Sequence, residues 1–534
     1  MAEEIAFARK ASGLVRGLSF WDVTGIGLAF ITPIYAIWYI IEVGLVLYPS
    51  ANLLIAILIS VVTIGWASPI VWGVLGGSMP RSGGEYIYNS RIINPAVALG
   101  ASFTAIVAQF YWNLFNSSLI AVPSLAILGQ YLGWTGLSNF AESKHGGVII
   151  ACLGIGVAFL ILAFGMKTFR YLSKVVIVVM LGGVTILCIA LTLASRASFI
   201  KHWDAQAVKY HSLPYSQFVS AAHAAGAATP THWTWGDTFG ATAGVFMIFI
   251  WAFGIAYVGG EVKRPDKTVM RAQWAAVGMP VLLCIWAVLA IGHIMPYDFL
   301  RAAAFQDFSA ATKGYNLPYS TSFMSLAFIS SGANWFVGLV AGVTFFVTAL
   351  WLVVVNLLMC QRAMFAWGMD RMGPAWFTSI NKRTASPIGM LGFVAAISAF
   401  LSIGYWYLFP SVLSGLFASG MQLVSVFGVT AISAIIFAYR KKAAHIWNSS
   451  PYRKWTVAGV PVLTIAGCVY LAYIVALLYF AFFDSKTKDV TGKKVWLMAI
   501  AWAAGIAWYY FWKYRSAKQG VDVARMTYGE LPPE

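Results

Sequence analysis

Charged side chains are scarce in this chain. Asp, Glu, Lys and Arg make up 10% of its 534 residues, whereas 60% are hydrophobic. A soluble domain carries about 25% charged residues, so the composition excludes an ordinary soluble domain. The net charge of +17 does not indicate nucleic-acid binding, because the basic residues occupy short loops between apolar spans. We therefore expect a lipid bilayer, and no nucleic acid, as a partner.

Cysteines are also few, and motifs of the common enzyme classes are missing. The five cysteines lie in apolar segments without metal-ligand spacing, which is typical of small core residues. No His, Asp, Glu or Cys group forms in an apolar span, and no nucleotide-binding Gly-rich Lys motif occurs. The sequence predicts no metal, no organic cofactor and no ATP drive, and it disfavours an intramembrane enzyme or a receptor.

Apolar runs of spanning length are abundant. A helix needs about 20 apolar residues to cross a bilayer, and the sequence predicts twelve spans. Of the 35 Lys and Arg residues, 25 fall on the side of the N-terminus and 10 on the other. By the positive-inside rule, both termini are cytoplasmic, and we expect a multi-pass protein of the plasma membrane. The predicted spans are 19–46, 51–76, 97–131, 147–165, 172–194, 239–260, 272–295, 334–366, 387–408, 411–439, 456–483 and 494–512.

The spans divide into two groups of five and a final pair. An odd number of helices inverts a repeated unit, so 19–194 and 239–439 are predicted to form a five-plus-five inverted repeat with broken first and sixth helices. The long loop 296–333 is expected to hold a short helix that caps a site from outside. The remaining segments are an N-terminal cytoplasmic segment 1–18, an extracellular loop 195–238, helices eleven and twelve in 456–512 and a cytoplasmic tail 513–534.

Two glycines lie in the middle of the first span, in the run Thr24-Gly25-Ile26-Gly27. Backbone that leaves the helix inside a bilayer needs compensating partners. Unwinding here would free N–H groups for a carboxylate and carbonyl groups for an ammonium, and a zwitterionic amino acid has both. The alternative is that the glycines form a close contact between continuous helices, and their spacing does not decide between the two.

Three loop motifs resemble those of one family. The runs MPRSGGEYIYNSR (Met79–Arg91), GEVKRPDKTV (Gly260–Val269) and QRAMFAWGMDRMGPAW (Gln361–Trp376) follow the second, sixth and eighth spans. At these intervals they are similar to motifs of the amino acid/polyamine/organocation permease superfamily. The resemblance covers most of the first ten spans, and it implies the five-plus-five fold and transport by alternating access.

The resemblance also implies a substrate site. The backbone N–H groups of the Gly25–Gly27 segment would hold the substrate carboxylate. The sixth-helix break would offer carbonyl groups to the amino group and an aromatic gate, although its aromatic residues would equally serve as core or lipid-facing side chains. In the third span, Asn113 would line the cavity or join helices by hydrogen bonds. The sixth-helix residues are Trp251, Ala252, Phe253 and Gly254.

Candidate gating residues lie at the cytoplasmic ends of the spans. Arg81 and Glu85 place opposite charges at the inner mouth, and Glu261 closes the sixth span. Charges near a membrane span are candidates for gates or proton carriers, and they are equally interfacial residues in contact with water.

Coupling candidates follow from the resemblance. Many relatives carry a fifth-helix lysine where this chain has Met180, and Lys174 lies two turns earlier as a displaced counterpart or a snorkelling lysine. Sodium-coupled members use hydroxyl ligands on the eighth helix, where Thr344 and Thr348 lie four residues apart on one face. The expected coupling ion is H⁺ or Na⁺.

Together these patterns predict a secondary active transporter of amino acids, driven by a cation gradient or acting as an exchanger. The scarcity of fixed charge at the predicted site favours neutral, apolar substrates, because a cationic side chain would require an acidic partner. The alternative is a transporter of the same fold for a polyamine, another organic cation or a nucleobase.

Overall fold

The structure of the protein is a computed structural model. The described residues are almost wholly helical, and a single hairpin of two-residue strands, Thr456–Val457 and Val460–Pro461, is found among them. Most of the predicted N-terminal segment and the last part of the predicted tail lie outside the described residues. The described residues are 16–381, 383–384, 386–407, 416–484, 486, 492–520, 523 and 528.

Eleven helices among the described residues are long and apolar enough to cross a membrane, and a helix pair bent by 41° makes a twelfth span. The prediction of an all-α, polytopic membrane protein is thereby confirmed, whereas the inverted symmetry of the two halves stays a prediction. Spans 1 to 12 are Phe20–Leu47, Leu53–Ser78, Pro95–Leu132, Lys144–Ala163, Met166–Leu193, Trp235–Tyr257, Pro265–Ile294, Trp335–Met369, Ile388–Tyr407, Gly420–Tyr439, Val462–Phe483 and Val495–Lys518.

The connections between spans lie on two faces of the bundle. The N-terminal face, where span 1 begins, carries the short helices Glu85–Ile92 and Ala444–Ser449. The opposite face carries five helices outside the spans, and two of them lie in the loop 296–333, which was predicted to hold a capping helix. The helices of the opposite face are Thr135–Glu142, Arg196–Lys209, Tyr215–Ala224, Tyr297–Ser309 and Phe323–Ser330.

Span 1 is broken at Thr32. Helix Phe20–Ile31 ends there, and Thr32 has the left-handed dihedrals φ 49° and ψ 81° before a new helix begins at Pro33. Proline has no N–H to donate, and its ring disfavours a helical conformation in the preceding residue. The Thr32-Pro33 pair therefore stops the helix. The prediction of unwound backbone at Thr24–Gly27 is wrong, because that run lies inside a continuous helix.

The glycines of span 1 serve close packing instead. A Cβ on Gly25 would lie 2.4 Å from Cδ1 of Ile177 in span 5, and a Cβ on Gly27 would lie 2.6 Å from Cβ of Ala276 in span 7. These distances are too short for any side chain, so the glycines let three helices approach one another. This geometry matches the alternative interpretation, a contact between continuous helices.

Span 6 changes its helix type at Trp251, within the predicted break. Its α-helix Trp235–Ile250 passes into the 3₁₀-helix Trp251–Tyr257. A stretch of 3₁₀-helix inside a span often marks a functional hinge. The two broken spans touch here, because a Cβ on Gly254 would lie 2.1 Å from the ring of Phe30.

The contact between spans 5 and 8 supplies a test of the packing. A Cβ on Gly183 would lie 1.8 Å from Oγ1 of Thr344, a stiff β-branched side chain, whereas a Cβ on the neighbouring Gly182 would meet no atom within 4 Å. We expect Gly183→Ala to destabilise the protein by about 1–3 kcal/mol through overpacking, and Gly182→Ala to leave its stability unchanged or slightly raised. Melting temperatures of the purified variants in one detergent check this, and equal values for the two variants would contradict the packing.

Candidate functional site

A cavity of about 440 Å³ lies beside the two breaks. Ligand pockets in proteins measure about 300–1,000 Å³, so its size suits a small molecule. Spans 1, 3, 6 and 8 and the helix Tyr297–Ser309 all contribute to its wall. The lining residues are Phe30, Thr32, Tyr35, Trp38, Tyr39, Val43, Trp112, Phe115, Asn116, Leu119, Pro123, Trp251, Phe308, Phe345, Leu352 and Asn356.

Aromatic rings dominate this wall. Trp112 and Trp251 meet edge to face with ring centroids 5.2 Å apart, and Tyr35 and Phe345 meet in the same way at 4.3 Å. Edge-to-face packing is a preferred arrangement of aromatic pairs and fixes the rings in position. The cavity thus offers a rigid apolar surface on the side of spans 3, 6 and 8.

The polar part of the wall is small and uncharged. Thr32, Asn116 and Asn356 are its principal polar residues, and none of the described lining residues carries a charge. The Thr32 hydroxyl donates to the carbonyl oxygen of Ile31 at 2.7 Å. Because Pro33 has no N–H, the Ala29 carbonyl has also lost the donor it would have in a continuous helix. The break thus places backbone polarity next to an apolar chamber.

Of the predicted sixth-helix residues, only Trp251 lines the cavity. Phe253 is fully buried and packs against Trp72 and Phe427, with ring centroids 5.8 and 4.8 Å away. The Ala252 carbonyl accepts a hydrogen bond of 3.2 Å from Nε2 of Gln273. Trp251 therefore faces the cavity and Phe253 is a core aromatic, whereas a gating role for Trp251 stays a prediction.

The predicted first-helix residues lie outside the cavity wall. Thr24, Gly25, Ile26 and Gly27 are all buried among helices, and none of them is a lining residue. Within the described part of the chain, the Thr24 hydroxyl has no hydrogen-bond partner.

In span 3, Asn116 rather than Asn113 lines the cavity. Asn113 is completely buried, and neither its side-chain nitrogen nor its oxygen has a partner among the described residues. Gln109, one turn earlier, is also completely buried, and its side-chain nitrogen and oxygen have no partner among the described residues. Two buried amides without partners among the described residues thus lie on span 3 next to Asn116, outside the cavity lining.

The predicted coupling residues divide into exposed and buried positions. Lys174 is exposed at the surface of span 5, so the structure does not bring it to the cavity. Met180 is buried, Thr344 packs on Gly183, and the buried Thr348 hydroxyl has no partner in the described structure. A coupling role for Lys174, Met180, Thr344 or Thr348 stays a prediction.

On the N-terminal face, buried ion pairs connect distant segments. Glu261 Oε1 and Arg362 Nε lie 2.9 Å apart and are almost fully buried, which links the end of span 6 to span 8. The Glu261 carbonyl also accepts hydrogen bonds from the N–H groups of Gly17 and Leu18, both at 2.9 Å. Burial raises the pKa of the Glu261 carboxyl, and the Arg362 charge opposes that shift.

Glu85 lies in the same region and is also fully buried. It accepts a hydrogen bond from the hydroxyl of Tyr257, and the Tyr257 carbonyl accepts one of 3.4 Å from the Gly83 N–H. Burial raises the pKa of Glu85 from 4.5 to about 7, and the Tyr257 bond lowers it in part. We call Glu85, Tyr257, Glu261 and Arg362 the N-terminal gate, after the predicted role of Glu85 and Glu261, which stays a prediction.

The backbone of Arg81 contacts Gly259 in this region. Its guanidinium Nη1 donates to the Pro80 carbonyl at 3.0 Å, and its own carbonyl oxygen lies 2.9 Å from where a Cβ on Gly259 would be. The loop after span 2 thus packs closely against the end of span 6.

Several lining residues were missed from sequence. Thr32, Tyr35, Trp38, Trp112 and Asn356 occur in apolar runs without a distinguishing pattern. The Thr-Pro pair inside a span was an available signal, because the residue before proline leaves the helical conformation. The hydrogen bond from Tyr257 to Glu85 had no recognisable pattern in the sequence.

Broken spans that meet at a small-molecule cavity in a polytopic helical bundle define a membrane transport protein. The chain belongs to the amino acid permease family, whose model matches residues 18–505. This membership identifies a permease rather than an enzyme.

The chain is similar to several transporters at low identity. It is 22% identical over 261 residues to cationic amino acid transporter 7, chloroplastic, of Arabidopsis thaliana, a match that covers 44% of this chain and 41% of the relative. It is 27% identical over 166 residues to cationic amino acid transporter 6, chloroplastic, of the same plant, with 31% and 25% covered. The chain thus spans less than half the length of these plant relatives. An uncharacterized transporter of Mycobacterium tuberculosis is 24% identical over 437 residues, with 79% and 86% covered.

The N-terminal gate should respond to pH through Glu85. In the closed gate the pKa of Glu85 is about 7, whereas in an open gate water restores a value of about 4.3. A proton on Glu85 therefore binds the closed gate more tightly than the open gate and stabilises the closed conformation. This stabilisation of the closed gate is lost as pH rises through about 7. We expect labelling of Cys360, a buried thiol near Tyr257, to increase over this range in a protein with Cys152→Ser and Cys468→Ser.

The matched control is Glu85→Gln in the same background, which reports the pH dependence of the thiol alone. A labelling profile of Cys360 that is identical with and without Glu85→Gln would show that Glu85 does not control the gate.

Proposed function

We propose that the protein is a secondary active transporter of amino acids that works by alternating access and prefers neutral, apolar substrates. The observation that carries this proposal is the 440 Å³ cavity at the Thr32 break, which is aromatic and has no charged residue among its described lining. A net-neutral zwitterion suits such a chamber, because an unpaired charge would lose its hydration without compensation.

The parts of the substrate can be assigned to parts of the wall. The amino and carboxylate groups would face the interrupted backbone near Thr32 and the amides of Asn116 and Asn356. The side chain would lie against Trp112 and Trp251, where burial of apolar surface supplies the affinity. Backbone groups at a break recognise a main chain that all amino acids share, so the aromatic wall would set the preference among side chains.

In this proposal the two faces open in turn. The N-terminal face would be cytoplasmic, in a plasma-membrane protein with both termini inside, as the distribution of Lys and Arg indicates. The N-terminal gate closes one side of the path in the present conformation. A cation gradient, carried by H⁺ or Na⁺, or a counter-transported amino acid would drive the cycle.

Cationic amino acids are the second candidate, because two of the similar proteins are named as transporters of them. A cationic side chain would gain cation–π interactions with the tryptophan faces. It would find no carboxylate among the described lining residues. Polyamines, other organic cations and nucleobases are further alternatives of the same fold.

Uptake into proteoliposomes separates these candidates. We expect saturable uptake of large neutral amino acids, with weak competition by arginine and lysine. Strong uptake of arginine or lysine would favour the second candidate. If folded protein takes up none of the twenty amino acids, the amino acid proposal fails, and polyamines and nucleobases are tested next.

Trp251→Ala should lower the affinity for a neutral substrate about tenfold or more, which corresponds to at least about 1.4 kcal/mol of lost contact. The matched control is Trp335→Ala, since Trp335 is 66% exposed at the start of span 8. Substrate affinity is measured by competition in the same uptake assay. A Trp251→Ala protein with wild-type affinity would remove the aromatic wall from the site.

A further inference from the structure

Two carboxylates, the buried Glu42 and the partly buried Asp307, lie on the opposite side of the cavity from the N-terminal gate. Glu42, in the Tyr39–Val43 segment of span 1, is 1% exposed. Its Oε1 accepts a hydrogen bond of 2.7 Å from the N–H of Phe323, the first residue of helix Phe323–Ser330. Its Oε2 is buried and has no hydrogen-bond partner among the described residues.

Asp307 is partly buried and lies on the helix Tyr297–Ser309, which packs against the Tyr39–Val43 segment that carries Glu42. The two carboxylates are close enough for their charges to interact. Asp307 Oδ2 accepts a hydrogen bond of 2.9 Å from Nε1 of Trp38. Trp38 and Phe308 both line the cavity. The two carboxylates therefore lie directly behind the cavity wall, and each of them ties span 1 to a helix of the same loop. We call helices Tyr297–Ser309 and Phe323–Ser330 the lid.

No basic side chain compensates this pair among the described residues, since neither carboxylate forms an ion pair with one of them. The basic groups on neighbouring elements are engaged elsewhere: Arg301 with Asp298 at 2.9 Å, Lys486 with Asp237 at 2.5 Å and His202 with the Ser330 carbonyl at 3.1 Å. The other titratable groups on elements around the pair are Tyr35, Tyr39, Tyr131, Tyr297 and Tyr315.

Glu42 is buried, Asp307 beside it is partly buried, and no cation pairs with either among the described residues, so ionising both carboxylates together is costly. The present conformation of the lid is therefore compatible with at least one bound proton. Burial raises the pKa of Asp307, and hydrogen bonds from Trp38 and Ser320 lower it in part. If the lid moves away from span 1, water solvates both carboxylates, and the proton affinity of the pair falls.

We propose that Glu42 and Asp307 form a proton-binding site, and that a proton taken from the solution on the lid side onto one of these carboxylates closes the lid over the cavity. The proton returns to the solution when the lid opens. This inference deepens the proposed function, on which it rests, by giving the gate of the opposite face its own ligand, a hydrogen ion.

The linkage has a definite sign. A proton that binds only the closed lid favours closure at low pH, and its effect is lost as pH rises and both carboxylates ionise. Neutral Glu42→Gln mimics the protonated side chain and should hold the lid closed at every pH. Asp307→Asn should do the same while keeping an acceptor for the Trp38 bond.

A distance measurement on the full chain tests this without a substrate. Spin labels at Ser309→Cys on the lid and Asn139→Cys on the exposed helix Thr135–Glu142 report the lid position, in a protein with Cys152→Ser and Cys468→Ser. We expect the distance distribution of the wild-type pair to shift toward the closed lid as the pH is lowered from about 8 to about 5, the range around neutrality below which carboxylates take up protons. The shift should be lost in Glu42→Gln and in Asp307→Asn.

The matched control is Asp298→Asn, an exposed carboxylate on the same lid helix, which should keep the pH-dependent shift. A wild-type distribution that does not change with pH, or a shift that survives in Glu42→Gln, would overturn the proposal. If Glu42→Gln does not fold, Asp307→Asn decides in the same way. Because the probe is the proton alone, a failure to transport any amino acid would leave this result readable and would count only against the proposed function.

Discussion

The interruption of helical hydrogen bonding at Thr32 is the constraint on which the site depends. Lipid cannot satisfy a free backbone group, so irregular backbone inside a span occurs only where protein or a polar cavity surrounds it. Here Thr32 is 3% exposed to its surroundings and borders a chamber built from four spans. The break thus lies where protein and a cavity, not lipid, surround it, and the occupant that we propose for this space is a substrate with polar main-chain groups.

Close packing on one side of span 1 makes the break possible on the other. Gly25 and Gly27 allow side chains of spans 5 and 7 to pack directly on the backbone of the first half of span 1. Phe30 then packs against Gly254, where span 6 becomes a 3₁₀-helix. The first half of span 1 is thus fixed among its neighbours, and the chain beyond Thr32 is directed along the cavity wall.

On both faces of the bundle, buried carboxylates depend on other segments for their partners. On the N-terminal side, Glu261 has Arg362, and breaking such a buried pair costs about 3–5 kcal/mol. On the lid side, Glu42 accepts a hydrogen bond from the backbone N–H of Phe323 and has no ion-pair partner among the described residues. Glu261 and Glu42 thus differ in that, among the described residues, a buried cation compensates only Glu261.

The sequence was sufficient for the membrane class, the spans and the approximate region of the sixth-helix break, because apolar length and loop charge are local properties. It was insufficient for the first-helix break. Two glycines indicated flexibility there, but their role is tertiary, and the contact with Ala276 is invisible in the order of residues. Asn113 and Asn116 differ by less than one turn, so only the packed helix decides which one lines the cavity. The pairing of Glu42 with Asp307 likewise exists only in the fold.

The most direct measurement is a cryo-EM map of the purified protein saturated with a large neutral amino acid such as leucine. We expect density between Thr32 and Trp251, with the polar end toward span 1 and the side chain against Trp112. A bound amino acid located elsewhere, for example beside Thr24–Gly27 with the aromatic cavity empty, would contradict the assignment of the site.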